Sequence, residues 1–253
     1  VDICNGITHE KYSLRDKVFQ ISETAHVGFD TAHVHESKQL IKKHLFEIGG
    51  PFVGARGKWR MDPEKPIVLF IGRYSGEKGT DMLEKAILSC SGKANFIAIG
   101  RGYDTETMAV ISKYSKVLDN VLVVFSEDLQ KKYGEAFRAC ADIQLVPSHS
   151  EACGLVAMEA QATGAIIVAA DVGGLKDVVR EFNSDKSEGV GYRYTHNDTD
   201  DLTYSDTTSF LAGDFSVLLS NTYLSMLNVI QPYVEVRAFM DFKKYNTYYA
   251  EAG

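Results

Sequence analysis

The sequence predicts a doubly wound α/β sheet, and three observations carry that prediction. Short apolar runs rich in β-formers recur from Ile67 onward, at residues 67–71, 95–99, 121–125, 143–146 and 165–169. Their starts lie 28, 26, 22 and 22 residues apart, the length of a strand, a helix and two turns. The runs are almost wholly apolar, as strands covered on both faces of a parallel sheet are. Repeated βα units of this kind place ligands at the carboxyl ends of the strands.

The elements follow in order. A helix is expected over Glu36 to Ile48, and after it residues 49–66 hold four glycines and three prolines in 18 positions, a loop composition. Behind the first strand, Met82, Leu83, Ala86, Ile87 and Cys90 mark one helix face. Thr107 to Leu118 and Leu129 to Cys140 read as further helices. Residues 183–209, rich in Asp, Ser and Thr, read as an exposed insertion around a short strand at Gly191 to Tyr194. Near the end, Phe239, Phe242, Tyr245, Tyr248 and Tyr249 recur at helical spacing, the pattern of a docking face. The expected organisation is a leading segment over 1–66, a Rossmann-like domain over 67–230 and an aromatic helix over 231–253.

Composition narrows the function. With 253 residues and 45% hydrophobic content the chain can bury a core without disulfide or metal staples. Its 27 basic and 34 acidic residues give a net charge of −7, which argues against nucleic-acid partners and leaves any anion to be held locally. Four cysteines, Cys4, Cys90, Cys140 and Cys153, lack metal-ligand spacing and read as reduced thiols of an intracellular protein. His26, His33, His35 and His44 have no completing ligands, so no metal site is assigned. No apolar stretch reaches the roughly 18 residues of a membrane span, and no secretory signal opens the chain. The expected location is the cytoplasm, or a plastid in a plant-like organism. The chain opens on Val1-Asp-Ile-Cys without methionine and reads as part of something larger.

Three glycine-bearing turns follow strands of the one sheet. The first, Gly72-Arg-Tyr-Ser-Gly-Glu-Lys-Gly79, offers the cations Arg73 and Lys78 and backbone N–H groups to a diphosphate. It is not a P-loop, because Glu77 stands where that pattern needs glycine. By itself it is equally a surface turn with two solvated cations. The second, Pro147-Ser-His-Ser-Glu-Ala-Cys-Gly-Leu155, sets Glu151 before a helix start, where a carboxylate can accept sugar hydroxyls or simply face the helix dipole. The N–H groups of Cys153, Gly154 and Leu155 would face an anion, and Glu159 would sit within the helix. The third, Val172-Gly-Gly-Leu175, is explicable by close packing alone. Converging on one edge, the three turns indicate a nucleotide or phosphorylated ligand.

In their order and separation, GRYSGEKG, PSHSEACGLVAMEA and VGGLKDVV resemble the C-terminal half of glycogen and starch synthases, retaining glycosyltransferases of the GT-B architecture. Asn5-Gly6-Ile7 resembles the crossover between that family's domains, Lys38 to Gly49 the helix after it, Phe125-Ser-Glu-Asp-Leu129 the segment beside the nucleobase, and MDFKKYNTYYAE the aromatic helix ending the catalytic region. The resemblance implies an ADP-glucose or UDP-glucose donor, no cofactor, and transfer to a growing α-1,4-glucan by front-face attack without a protein nucleophile. It implies that Arg73 and Lys78 stabilise the departing diphosphate and that Glu151 holds the sugar hydroxyls. Gly72, Cys153, Gly154, Leu155 and Glu159 would line the donor, Phe125 would stand near the base, and Gly173 and Gly174 would lie close by.

Two positions depart from the synthases. Ala152 replaces the usual proline, and Glu159 stands where many have tyrosine, a pattern of retaining GT-B enzymes more broadly. The acceptor-binding N-terminal domain precedes the crossover in that family, so the chain is expected to hold half a cleft and to be inactive alone. The alternatives are a nucleotide-sugar-binding regulatory or interaction module, or a GT-B transferase with another acceptor.

Overall fold

The computed structural model describes residues 17–20, 26–30, 33–48, 61–90, 93–183 and 188–194. The crossover tripeptide, residues 49–60 of the glycine- and proline-rich loop and the aromatic tail lie outside them. A two-stranded antiparallel ladder, β1 (Val18–Gln20) and β2 (His26–Gly28), precedes helix α1 (Val34–Ile48). Then come β3 (Ile67–Tyr74), a 3₁₀ turn (Gly76–Lys78), α2 (Met82–Cys90), β4 (Asn95–Gly102), α3 (Thr105–Val117) and β5 (Val121–Val124). After these follow α4 (Glu127–Cys140), β6 (Ile143–Val146), α5 (Leu155–Ala162), β7 (Ile166–Ala170), α6 (Leu175–Val178) and β8 (Gly191–Tyr194).

Among the described residues the main sheet has six strands in the order β5-β4-β3-β6-β7-β8, every pair parallel. The sheet begins at β3, winds outward to β5, then returns to β6 on the other side of β3. That reversal makes the crevice between β3 and β6 the topological switch point of a Rossmann-like fold. Apolarity on both strand faces has its counterpart in two helix layers. Ile67, Leu69, Ile97, Ile99, Leu122 and Val124 pack with Tyr133, Ala136 and Phe137 of α4 and with Ile41 and Leu45 of α1. Their neighbours Val68, Phe70, Phe96 and Ala98 face Leu83 and Ile87 of α2 and Ile111 of α3. A third cluster joins Val146, Ile167 and Ala169 to Ala157 and Ala160 of α5, on the face that α4 covers. Each fully buried Leu, Ile or Phe contributes roughly 1.5–3 kcal/mol.

The structure extends the expected elements where glycine hides the strand. β3 and β4 each run three residues past their apolar runs, through Gly72–Tyr74 and Gly100–Gly102. Glycine is needed there because the backbones touch: a Cβ on Gly100 would lie 1.8 Å from the Gly72 carbonyl oxygen, and one on Gly102 would lie 2.1 Å from that of Tyr74. α3 and α4 each begin two residues earlier than the periodicity suggests, at their caps: the side chains of Asp104 and Ser126 accept from the N–H groups of Thr107 and Leu129. Among the described residues of the leading segment, Phe19, Val27, Phe29, Val34, Ile41, Leu45 and Met61 share one core with β3, β4 and α4. No helix among the described residues is long and apolar enough to cross a membrane.

Candidate functional site

The turns after β3, β6 and β7 are packed together by their glycines. Gly79 ends the 3₁₀ turn at φ +65°, where a Cβ would lie 1.7 Å from the Pro147 carbonyl oxygen. No side chain other than hydrogen fits there, and the φ is one that glycine adopts readily. The two turns are also hydrogen-bonded, since the Glu77 carbonyl accepts the N–H groups of His149 at 2.9 Å and Ser150 at 3.3 Å. The third turn closes on the second in the same way. Gly173, at φ +46°, would place a Cβ 1.9 Å from the Glu151 carbonyl oxygen, which itself accepts the Gly174 N–H at 2.8 Å.

This packing brings Lys78 to Glu151, with Nζ 2.7 Å from Oε2 and the side chains 22% and 16% exposed. Ser148 donates its hydroxyl to the same oxygen at 3.3 Å, and the Gly154 N–H donates to Oε1 at 3.4 Å. In this state the Glu151 carboxylate takes up an N–H group that the sequence reading assigns to an anion. Gly154 is the N-cap of α5 at φ +81°, and Leu155, 39% exposed, is its first residue. Gly72 lies within β3 one residue before Arg73, which is 67% exposed and bonded to Glu77 at 2.6 Å. A lysine and a helix start therefore stand beside the Glu151 carboxylate, and an arginine paired with Glu77 ends β3 at the same sheet edge. Such a set can bind an anionic leaving group and a hydroxylated neighbour together.

Behind the first turn, Thr80 donates to Asp104 at 2.6 Å, tying the turn to the start of α3. Burial acts against ionisation of Asp104, but the hydrogen bonds from Thr80 and Thr107 outweigh it and hold the carboxyl below its usual range.

The other sequence-assigned residues have the following surroundings. The Phe125 ring packs edge-on against Tyr74, centroids 5.3 Å apart, in the cluster on the sheet face opposite to that of Arg73. Strand alternation decides this, because Phe125 continues the row of Val121 and Val123 while Arg73 continues that of Leu69 and Ile71. Glu159 pairs with Arg138 of α4 at 2.9 Å, one turn along α5 from Leu155. Cys153 is disulfide-bonded, which corrects the reading of four reduced thiols, while Cys140 is a buried free thiol. The structure adds Gly79 and Ser148 to these contacts and sets Arg101 beside Arg73 in register. Gly79 and Ser148 lie inside the two quoted motifs, so only their contacts were missing. Arg101 follows a glycine at the end of β4, and that position was the available signal.

Known proteins resemble this chain in sequence and in fold. The family model "Glycosyl transferases group 1" matches residues 55–203, more than half of the chain. A glycogen synthase of Hydrogenobaculum sp. is 32% identical over 182 residues, covering 68% of this chain and 32% of that protein. A D-inositol 3-phosphate glycosyltransferase of Segniliparus rotundus is 34% identical over 139 residues, covering 52% and 30%. The chain thus matches less than a third of the length of either relative. The fold is similar to the catalytic domain of starch synthase IV from Arabidopsis thaliana, solved with ADP and acarbose, at a TM-score of 0.60 and 18% identity over 96% of this chain and 48% of that one. With its parallel sheet, its turns gathered at the switch point and this family match, the chain belongs to the group 1 glycosyl transferases and has the Rossmann-like form of one GT-B half.

Proposed function

We propose that the chain is the donor-binding half of a retaining hexosyltransferase that moves glucose from ADP-glucose or UDP-glucose to a growing α-1,4-glucan. The observation that carries this reading is the Lys78–Glu151 contact beside Arg73 at the switch point. In transfer, negative charge grows on the departing diphosphate. Arg73 and Lys78 stabilise it, and Glu151 accepts hydroxyls of the sugar and holds its ring in place. Lys78 exchanges Glu151 for the phosphate as the sugar arrives, so one ion pair gives way to two contacts with the donor. The similarity to a glycogen synthase supports the glucan acceptor. The similarity to an inositol phosphate glycosyltransferase supports the same donor chemistry with another acceptor, and activity on glycogen against inositol phosphate separates the two.

The test is turnover by the complete protein. Arg73→Ala and Lys78→Ala are each expected to lower kcat by about a hundredfold or more. Near wild-type rates for both would remove the assignment. This chain alone is expected to bind donor and transfer no glucose, for want of acceptor groups.

A further inference from the structure

β3 and β4 end in step, with Arg73 opposite Arg101 and Gly72 opposite Gly100. In-register residues on adjacent parallel strands point to the same face about 4.8 Å apart. The two guanidinium stems therefore leave the carboxyl edge side by side, on the face covered by α4 and α5. Both side chains are open to solvent, 67% and 64% exposed. Like charges placed so weaken a sheet. Here each has a carboxylate of its own, Glu77 for Arg73 and Glu127 for Arg101, both at 2.6 Å. Glu127 also holds Lys131 at 3.0 Å. Ion pairs this exposed add little stability, so they do not account for two arginines at one rim. A shared anion does.

The row of cations has an order. Lys78 reaches toward β6, where Glu151 stands, and Arg101 lies on the β4 side, so Arg73 is flanked on both sides. We propose that Arg101 is a further binding residue of the donor site, taking the phosphate nearer the nucleoside while Lys78 takes the one nearer the sugar and Arg73 bridges them. On binding, Arg101 exchanges Glu127 for a phosphate oxygen. This rests on the donor reading above, because Glu151 marks the sugar end of the row.

The experiment is calorimetric titration of the full chain with ADP, UDP, AMP, UMP and the two nucleosides. Arg101→Gln is expected to weaken the diphosphate and the monophosphate of the preferred base alike, by about five- to tenfold, and to leave the nucleoside unchanged. Lys78→Ala is expected to weaken only the diphosphate. Glu127→Gln, which frees Arg101, is expected to tighten both phosphates by about two- to fivefold. Wild-type affinity in Arg101→Gln together with a loss in Arg73→Ala would overturn the proposal and leave the donor reading standing. Equal loss of the nucleoside would also overturn it, by moving Arg101 to the base. If no nucleotide binds the wild-type chain at millimolar concentration, the donor reading and the proposal fall together.

Discussion

Glu151 depends on glycines at a distance in sequence. Its side chain meets Lys78 because Gly79 lets the first turn touch Pro147, and its carbonyl can accept the Gly174 N–H because Gly173 has no side chain. Gly79→Ala forces a Cβ into the Pro147 carbonyl at a positive φ. It is expected to cost at least about 1–3 kcal/mol and to separate Lys78 from Glu151. Urea denaturation alongside nucleotide titration checks both effects, and unchanged values in both would show that the turns tolerate a side chain. At this scale the sequence was legible where chemistry and turn coincide, as in the cations of the first turn and the carboxylate of the second. It was not legible where the outcome hangs on which face a side chain takes. Phe125 follows the last residue of β5, and one residue of alternation puts its ring on the Tyr74 face and Val124 on the face of α4. Glu159 acquires Arg138 as a partner only because α4 and α5 lie side by side on one face, which spacing along the chain does not reveal.

Helix α1 shows what an element can conceal. Its apolar spacing marks a helix, yet it buries two lysines, Lys38 and Lys42, both 1% exposed. Lys42 is bonded to Asp142, which also accepts the Ile67 N–H at 2.8 Å, and Lys38 donates to the Ala141 carbonyl at 2.5 Å. The leading helix is thus fixed to the starts of β3 and β6 by charge as well as by packing. Burial disfavours the charged form of Lys38 and lowers its pKa from 10.5 to about 8, with Asp142 only partly offsetting the effect. Above that value the folded chain has released a proton that the unfolded chain still binds, so rising pH favours the folded state. Cys140 acts in the opposite sense, because burial raises its thiol from 9.0 to about 12 and the unfolded thiol ionises first. Stability is therefore expected to rise between about pH 8 and 9 and to level off until Lys38 loses its proton in the unfolded chain too, near 10.5, above which Cys140 and the buried phenols of Tyr74 and Tyr194, all held protonated by burial, make it fall. Urea midpoints across this range check it. Lys38→Met should abolish the rise and Cys140→Ala should extend it, whereas a midpoint falling from pH 8 in the wild type would contradict the account.

The whole molecule is a sheet whose strand order makes a site. Regular apolar runs identify parallel βα units, because only strands covered on both faces are apolar throughout. They do not say that the sixth strand of the chain returns beside the third, and that return is what brings the Gly72–Gly79 and Pro147–Leu155 turns into contact. The motifs compensate, since turns sharing one ligand must share one edge. The leading segment was harder to read: β1 and β2 are three residues each, too short to show alternation, and their place in the core follows from α4 beneath them. On the proposed function this edge binds a nucleoside diphosphate through Arg73 and Lys78. The most direct test is calorimetric titration of the 253-residue chain with ADP, UDP and GDP. The expected result is one-to-one binding of ADP or UDP that weakens at least tenfold in both Arg73→Ala and Lys78→Ala, about the loss of one charge-assisted hydrogen bond. Absence of binding by all three, or equal affinity in both variants and the wild type, would contradict it.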